Sequence, residues 1–411
     1  MRNKSTDLEK LAAKLDISPS MHKYAVDRYK GIADYLKEQG IKADFYPQGS
    51  FRTGTVVRPL KDGKDADFDI DVVCELLVDS ESITPKDVKL SVGEALQSNK
   101  VYSDKMRPED ERCWTLEYAD LSDGVGLIMD VVPCVHENNR KILLLKSLHV
   151  PQEFAEQAVA ITEKQDDGNY QWQASNPGGY GDWFDNINRP FLERNLKNRK
   201  QQFLNENRAL FDYAASVEDV PDYYIHSPLQ RAIQLLKRHR DIFYSRSDQT
   251  NSLRPASVII TTLAAQIAQH ASVIELEDLL PYIVNGFADY SALLQGRRPF
   301  NEAYGERKAY IERQNQRWQI LNPVNPKDNY ADSWTDDTAK MFFKWVAAAK
   351  TDLGDPTPVL EQKYLAGLQR GLGTSYVNET LKPYTPSGSS VISSHSEPQP
   401  LSHPTKPWGR G

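Results

Sequence analysis

Tyr46–Leu77 reads YPQGSFRTGTVVRPLKDGKDADFDIDVVCELL, and this stretch decides the fold. Its end, Asp69-Ile70-Asp71-Val72-Val73-Cys74-Glu75-Leu76, gathers β-branched and apolar residues without Gly or Pro, which predicts a strand. Residues two apart on a strand share a face, so Asp69 and Asp71 would hold two carboxylates side by side at its start. Two such anions repel unless a cation lies between them, and hard divalent ions such as Mg2+ take oxygen ligands of this kind. A lone Asp-x-Asp is more often a solvated acidic edge strand, so the other half of the stretch matters. An extended Ala43–Tyr46 runs into Pro47-Gln48-Gly49-Ser50. Gly49 lets the backbone approach a ligand closely, and Ser50 is placed to N-cap a short helix. Backbone N–H groups at such a start attract phosphate. A single Gly-Ser usually means an ordinary turn. Beside a two-carboxylate metal site, though, a phosphate cradle is equipment for moving a nucleotidyl group.

The chain has 411 residues and a mass of 46.7 kDa, enough for a large core in two packed lobes. No apolar run approaches the ~20 residues that span a bilayer. The polar start MRNKSTDLEKLAAKLD lacks a signal-peptide core, so the expected location is cytoplasmic, with no membrane partner. A net charge of −7 argues against a long duplex nucleic acid as the main ligand, but leaves room for small nucleotides in a local positive patch. Cys74, Cys113 and Cys134 suit a reducing compartment. The Cys134/His136 spacing matches no zinc pattern, which favours an inert cysteine.

Outward from the deciding stretch, helices are expected over Asp7–Leu15, from Ser18 as N-cap with Pro19 to Gln39, and over Pro85–Ser98 with Thr84 as N-cap. Lys100–Tyr102 reads as the start of an extended stretch. Arg112–Tyr118 and Gly126–Val132 read as strands. Asp130 is a lone charge inside the second, Gly126-Leu127-Ile128-Met129-Asp130-Val131-Val132-Pro133. Charges are seldom buried unpaired, so Asp130 is either a salt-bridged or edge aspartate or a third metal ligand beside Asp69 and Asp71. Ile161–Pro190, rich in Trp, Tyr, Asn and Gly, reads as a long irregular crossing between lobes whose aromatics stack on a base or pack between the lobes.

From Phe191 the chain reads as mainly helical. Ser227-Pro228-Leu229-Gln230 carries a capping box. Lys237-Arg238-His239-Arg240 near that helix's end is either a solvated basic turn or, through Lys237, a triphosphate contact. Ser257 lies near the start of the next helix, Pro255–Ile267, and serves the helix end or touches phosphate. Further helices are expected over Leu276–Leu294, Asn301–Leu321, Ser333–Thr351 and Val359–Gln369, with a rigid break at Asn322-Pro323-Val324-Asn325-Pro326. Pro383–Gly411, rich in Pro, Ser, Thr and His, cannot bury enough apolar surface to order and reads as a disordered tail.

These residues resemble the bacterial CD-NTases, relatives of cyclic GMP–AMP synthase and oligoadenylate synthase among the polymerase-β-like nucleotidyltransferases. The resemblance rests on Gly49-Ser50, Phe68-Asp69-Ile70-Asp71-Val72-Val73 and Asp130-Val131-Val132-Pro133. Ser175-Asn176-Pro177, Leu236-Lys237-Arg238, and Asn325-Pro326 before Trp334 follow in order. It implies an α+β fold: a polymerase-β-like lobe with a mixed sheet (residues 1–190, N-terminal helices included), a helical lobe (191–372), and a disordered tail (373–411). Asp65, Asp67, Asp69 and Asp71 alternate, so Asp67 with Asp69 is an alternative ligand pair. Asp69 and Asp71 abut the apolar strand, as in the family pattern. The resemblance also implies a metal-dependent enzyme that makes a cyclic oligonucleotide second messenger from NTPs for CBASS anti-phage defence. Two Mg2+ ions, with Mn2+ as alternative, would sit on the catalytic Asp69, Asp71 and Asp130. Gln48, Gly49, Ser50, Lys237 and Ser257 would bind the nucleotide. Some relatives are conjugated through a flexible C-terminus by a ubiquitin-transfer-like partner, and Gly411 resembles such an end. A linear or small-molecule nucleotidyltransferase and a silent nucleotide-binding protein are the competing readings, the last opposed by the complete aspartate set.

Overall fold

The computed structural model describes residues 3–58, 60–61, 64–65, 67–121, 125–208, 220–297, 309–354 and 361–381. The tail and its Gly411 lie outside them. Six strands form one mixed sheet: β1 Ala43–Gln48, β2 Phe68–Leu76, β3 Trp114–Leu121, β4 Val125–His136, β5 Val159–Lys164 and β6 Tyr170–Ser175. β2 and β4 run parallel, with Asp71 level with Asp130. β1 is antiparallel to β2, and β3 is antiparallel to β4. β5 takes over from β3 along the later half of β4 and pairs in turn with β6.

Alternation along β2 explains its orientation. Phe68, Ile70, Val72, Cys74 and Leu76 are buried, and they pack with Ala25, Ile32 and Leu36 of the Pro19–Glu38 helix and Val88, Val92 and Leu96 of the Pro85–Gln97 helix. Each fully buried aliphatic or aromatic side chain there contributes about 1.5–3 kcal/mol. A slip of one residue would expose that whole set, so the register is fixed and Asp69 and Asp71 are held on the opposite face.

A second apolar core surrounds the Pro228–Tyr244 helix, with the Ser257–Ala268, Leu276–Asp289, Asp336–Leu353 and Glu361–Leu372 helices around it. Leu8, Leu11, Ala12 and Leu15 near the N-terminus, and Phe184 and Phe191 of the Pro177–Glu193 helix, join this second core rather than the sheet's. The expected capping box is present: Gln230 N–H donates to Ser227 Oγ at 3.1 Å and Ser227 N–H donates to Gln230 Oε1 at 2.7 Å.

Four stretches depart from their sequence reading. Lys100–Ser103 is a helical turn rather than extended chain, because Asn99 Oδ1 accepts the Val101 N–H at 2.9 Å and caps it. Residues 161–190 are regular: the β5–β6 hairpin turns at Gly168, with φ of +83°, and the Pro177–Glu193 helix follows, capped by Asn176 Oδ1 on Gly179 N–H at 3.0 Å. The glycines that suggest a loop there allow close packing instead. A Cβ on Gly181 would lie 2.8 Å from Arg52 Nε. The expected 301–321 helix falls partly outside the described residues, and what is described is a hairpin: Glu312–Gln314 pairs with Arg317–Gln319 through Asn315 and Gln316, both at positive φ. The basic run at 237–240 is buried, not solvated, and each side chain has its own partner.

Candidate active site

Asp69, Asp71 and Asp130 share the wall of one cavity of about 470 Å³ with Gly49, Ser50, Lys237 and Ser257. The sheet supplies the aspartates, the β1–turn connection supplies Gly49 and Ser50, and two helices of the second core supply Lys237 and Ser257. Gln48 ends β1 opposite Asp71 and is not part of the cavity wall. Asp67 is not part of it either. Its Oδ1 accepts the Gly126 N–H at 2.7 Å. A larger cavity of about 570 Å³ meets the same turn through Phe51 and Arg52, but none of the expected site residues lines it.

The turn begins differently from its sequence reading. Gln48 is the N-cap of the short Gly49–Arg52 helix, with no side-chain cap bond, so Ser50 sits one position inside it. Gly49 has φ of +63°, and a Cβ there would lie 2.6 Å from Asp71 Oδ2. The carboxylate therefore packs directly against the turn's backbone. Gly49→Ala should cost about 1–2 kcal/mol from the left-handed backbone alone, read as a lower denaturation midpoint, and should also push Asp71 out of place. A variant with wild-type stability would show that the turn relaxes freely. Arg52 ties the turn to the Pro177–Glu193 helix through ion pairs of 2.8 Å to Asp182 and 2.8 Å to Asp185.

The electrostatics divide the cavity. Burial, then the charges of Asp130 and Asp69, push Asp71 up to about 6. Partial burial and the charge of Asp130 also raise Asp69, against the pull of Arg107. Asp130 Oδ1 accepts the Thr115 hydroxyl proton at 2.5 Å. The same cavity is lined by Lys237, Arg240 and Arg254 from the helical half, with Asp241 beside the two arginines. Lys237 Nζ donates to Thr55 O at 3.0 Å and to Thr55 Oγ1 at 2.9 Å. Burial, then the neighbouring Arg240, hold the Lys237 ammonium down to about 7. Ser257 Oγ accepts from Arg240 Nη1 at 2.9 Å, so its hydroxyl serves this basic wall rather than the helix end. Thr55, Arg240, Arg254 and Thr115 belong to this arrangement, and sequence reading passed over all four as site residues. The position of Arg240 one turn after Leu236-Lys237 is the only signal that pointed to any of them.

Three carboxylates that repel one another on one wall are hard oxygen donors whose charge Arg107 offsets only in part, and that donor set fits divalent cations of the Mg2+ type. Among the described residues no three acidic, His or Cys side chains already stand together as a closed ligand cluster.

Residues 43–125 match the model of the DncV-like nucleotidyltransferase domain, described as that of cyclic GMP-AMP synthase DncV-like proteins. A c-di-GMP synthase of Roseivirga ehrenbergii is 29% identical over 356 residues, covering 84% of this chain and 78% of the relative. The cyclic dinucleotide synthase CdnG of Bradyrhizobium diazoefficiens is 30% identical over 270 residues, 64% of this chain and 58% of the relative. The chain is a relative of the CD-NTases. Their fold extends through it: CdnG of B. diazoefficiens, solved in complex with GTP, superposes with a TM-score of 0.63 at 22% identity, over 92% of this chain and 97% of that one. CdnC of E. coli MS115-1, solved with ATP, gives a TM-score of 0.55 at 16% identity, over 90% and 98%. The mixed sheet followed by a helical half is thus the CD-NTase architecture, which the motifs implied. Among the described residues no helix is long and apolar enough to cross a membrane.

Proposed function

We propose that this CD-NTase relative joins nucleoside triphosphates into a cyclic oligonucleotide, a second messenger of anti-phage defence. One observation carries the reading: a single cavity sets three strand-borne aspartates against the Gly49–Ser50 turn and the cations Lys237, Arg240 and Arg254. A triphosphate needs that separation of sign, with donors and cations for its phosphates and carboxylates for its counter-ions. The relatives' names, c-di-GMP synthase and cyclic dinucleotide synthase, support the same chemistry. We infer two lobes that meet along the Pro177–Glu193 helix, with the cavity between the sheet and the second core.

Asp69, Asp71 and Asp130 would hold two Mg2+ ions, or Mn2+ in their place. Bound divalent ions would make a ribose hydroxyl a better nucleophile and stabilise charge on the phosphate oxygens. The protein's own part is positioning. Backbone N–H groups of the 49–52 turn and the Lys237 ammonium grip the phosphates, and Arg240 keeps Ser257 and Asp241 in place around them. In each transfer the hydroxyl oxygen bonds to the α-phosphorus, the α–β phosphoanhydride bond breaks, pyrophosphate leaves and the hydroxyl proton passes to solvent. A second transfer between the joined nucleotides closes the ring.

Incubation with the four NTPs and Mg2+, then phosphatase and mass spectrometry, tests this reading. A ring has no terminal phosphate to lose, so its mass should survive phosphatase unchanged. Products that all shorten to dephosphorylated linear chains, or no product at all, would sink it.

A further inference from the structure

Asp130 stands between two unlike neighbours. On β2, Asp71 is level with it, and on β3, Thr115 is directly opposite. Thr115 is 6% exposed, and its hydroxyl reaches Asp130 Oδ1 at 2.5 Å. A carboxylate only accepts, so the single hydroxyl proton belongs to that bond. Cys113, two residues earlier on the same side of the chain, places Sγ 3.6 Å from Thr115 Oγ1. With the hydroxyl proton committed to Asp130, the thiol is the donor in this second contact. The two contacts form a one-way chain from Cys113 through Thr115 to Asp130.

We propose that Thr115 is a positioning residue for the divalent-ion site, fixing Asp130 by one oxygen so that the other is presented to the ion. This rests on the assignment of Asp69, Asp71 and Asp130 as ligands. Among the described residues the neighbouring carboxylates have no such strap. Asp71 Oδ2 lies against the bare backbone of Gly49, and Asp69 is exposed. Asp130 is then the fixed member of the set, and the other two swing to meet the ion. Partners that orient a ligand in this way commonly govern affinity 10–100-fold. Without the hydroxyl nothing holds Oδ1, and repulsion from Asp71 is free to turn the Asp130 carboxylate away from the shared site.

The test is binding of Mn2+ alone, without nucleotide, followed by the EPR signal of the free ion. Thr115→Val keeps the shape and removes the hydroxyl, and should weaken Mn2+ about tenfold. Thr115→Ser should return affinity to within about twofold of wild type. Thr115→Ala guards against a packing fault from the second Val methyl and should match Val. Asp71→Asn separates the two ideas. If Asp71→Asn loses Mn2+ while Thr115→Val binds like wild type, the role of Thr115 is wrong and the ligand assignment stands. If Asp71→Asn also binds like wild type, the ligand assignment fails. Serine as weak as valine would show that the hydroxyl alone does not restore the site and would overturn the proposal.

Discussion

Replacing Asp69 and Asp71 together by asparagine should abolish product and yet raise the melting temperature of the divalent-free protein at pH 7.5. The first half follows from charge. Asparagine keeps the shape but cannot hold a divalent ion against a triphosphate, so turnover should fall about 10³-fold or more. The second half follows from Asp71, which burial and its two acidic neighbours push up to about 6 from its ordinary 3.8. An acid raised in the folded state favours folding fully only below its ordinary value. That contribution disappears as pH climbs through the folded value, so at pH 7.5 the ionised side chain works against the fold. The displacement corresponds to at most about 3 kcal/mol, and partial exposure to solvent reduces it to about 1–2. Melts in EDTA should show the double variant a few degrees above wild type at pH 7.5, with the gap closing near pH 4. Adding Mg2+ should stabilise wild type and leave the variant unmoved. A variant that melts below wild type at pH 7.5, or one that still makes product, contradicts the account.

The sequence showed the acidic strand because its signal is local. Five alternating apolar residues fix which face of β2 is buried, and the aspartates fall on the other by periodicity alone. Asp130 was legible for the same reason, as a charge where the strand pattern allows none. The basic wall was harder to read. Lys237, Arg238, His239 and Arg240 allowed either a solvated helix end or a phosphate contact through Lys237, and tertiary partners bury all four: Thr55, Leu372 O, Asp352 and Ser257. Those partners lie up to 182 residues away in sequence, beyond the reach of any local pattern. Residues 161–190 were misread for the opposite reason. Local composition rich in Gly and Asn suggested a loop, whereas Gly179 and Gly181 are small so that the Pro177–Glu193 helix can pack closely, against Phe154 and Arg52. Thr115 could not be found from sequence, because its role depends on the β3–β4 register.

Lys237→Met should raise the KM for NTP about 10–100-fold and remove a proton-linked step from binding. Lys237 is 2% exposed, and two of its N–H groups are already given to Thr55. Burial and Arg240 hold its ammonium down to about 7, with Asp241 pulling the other way. For a base depressed in this way, the contribution to stability is complete above the ordinary value of 10.5 and is lost as pH falls through the folded value. At pH 8 the folded lysine is therefore mostly neutral, and a triphosphate arriving beside it must recharge it. Wild type should take up close to one proton per nucleotide bound at pH 8 and almost none near pH 5.5, read by calorimetry in buffers of different ionisation enthalpy with a non-hydrolysable GTP analogue. The methionine variant should take up none at either pH. Its weaker binding reflects the loss of one charge-assisted contact, about 1.5–3 kcal/mol. Equal proton uptake by variant and wild type would move the titrating group elsewhere in the cavity. Unchanged affinity would take Lys237 out of the phosphate site and leave it as the tie between the Pro228–Tyr244 helix and Thr55.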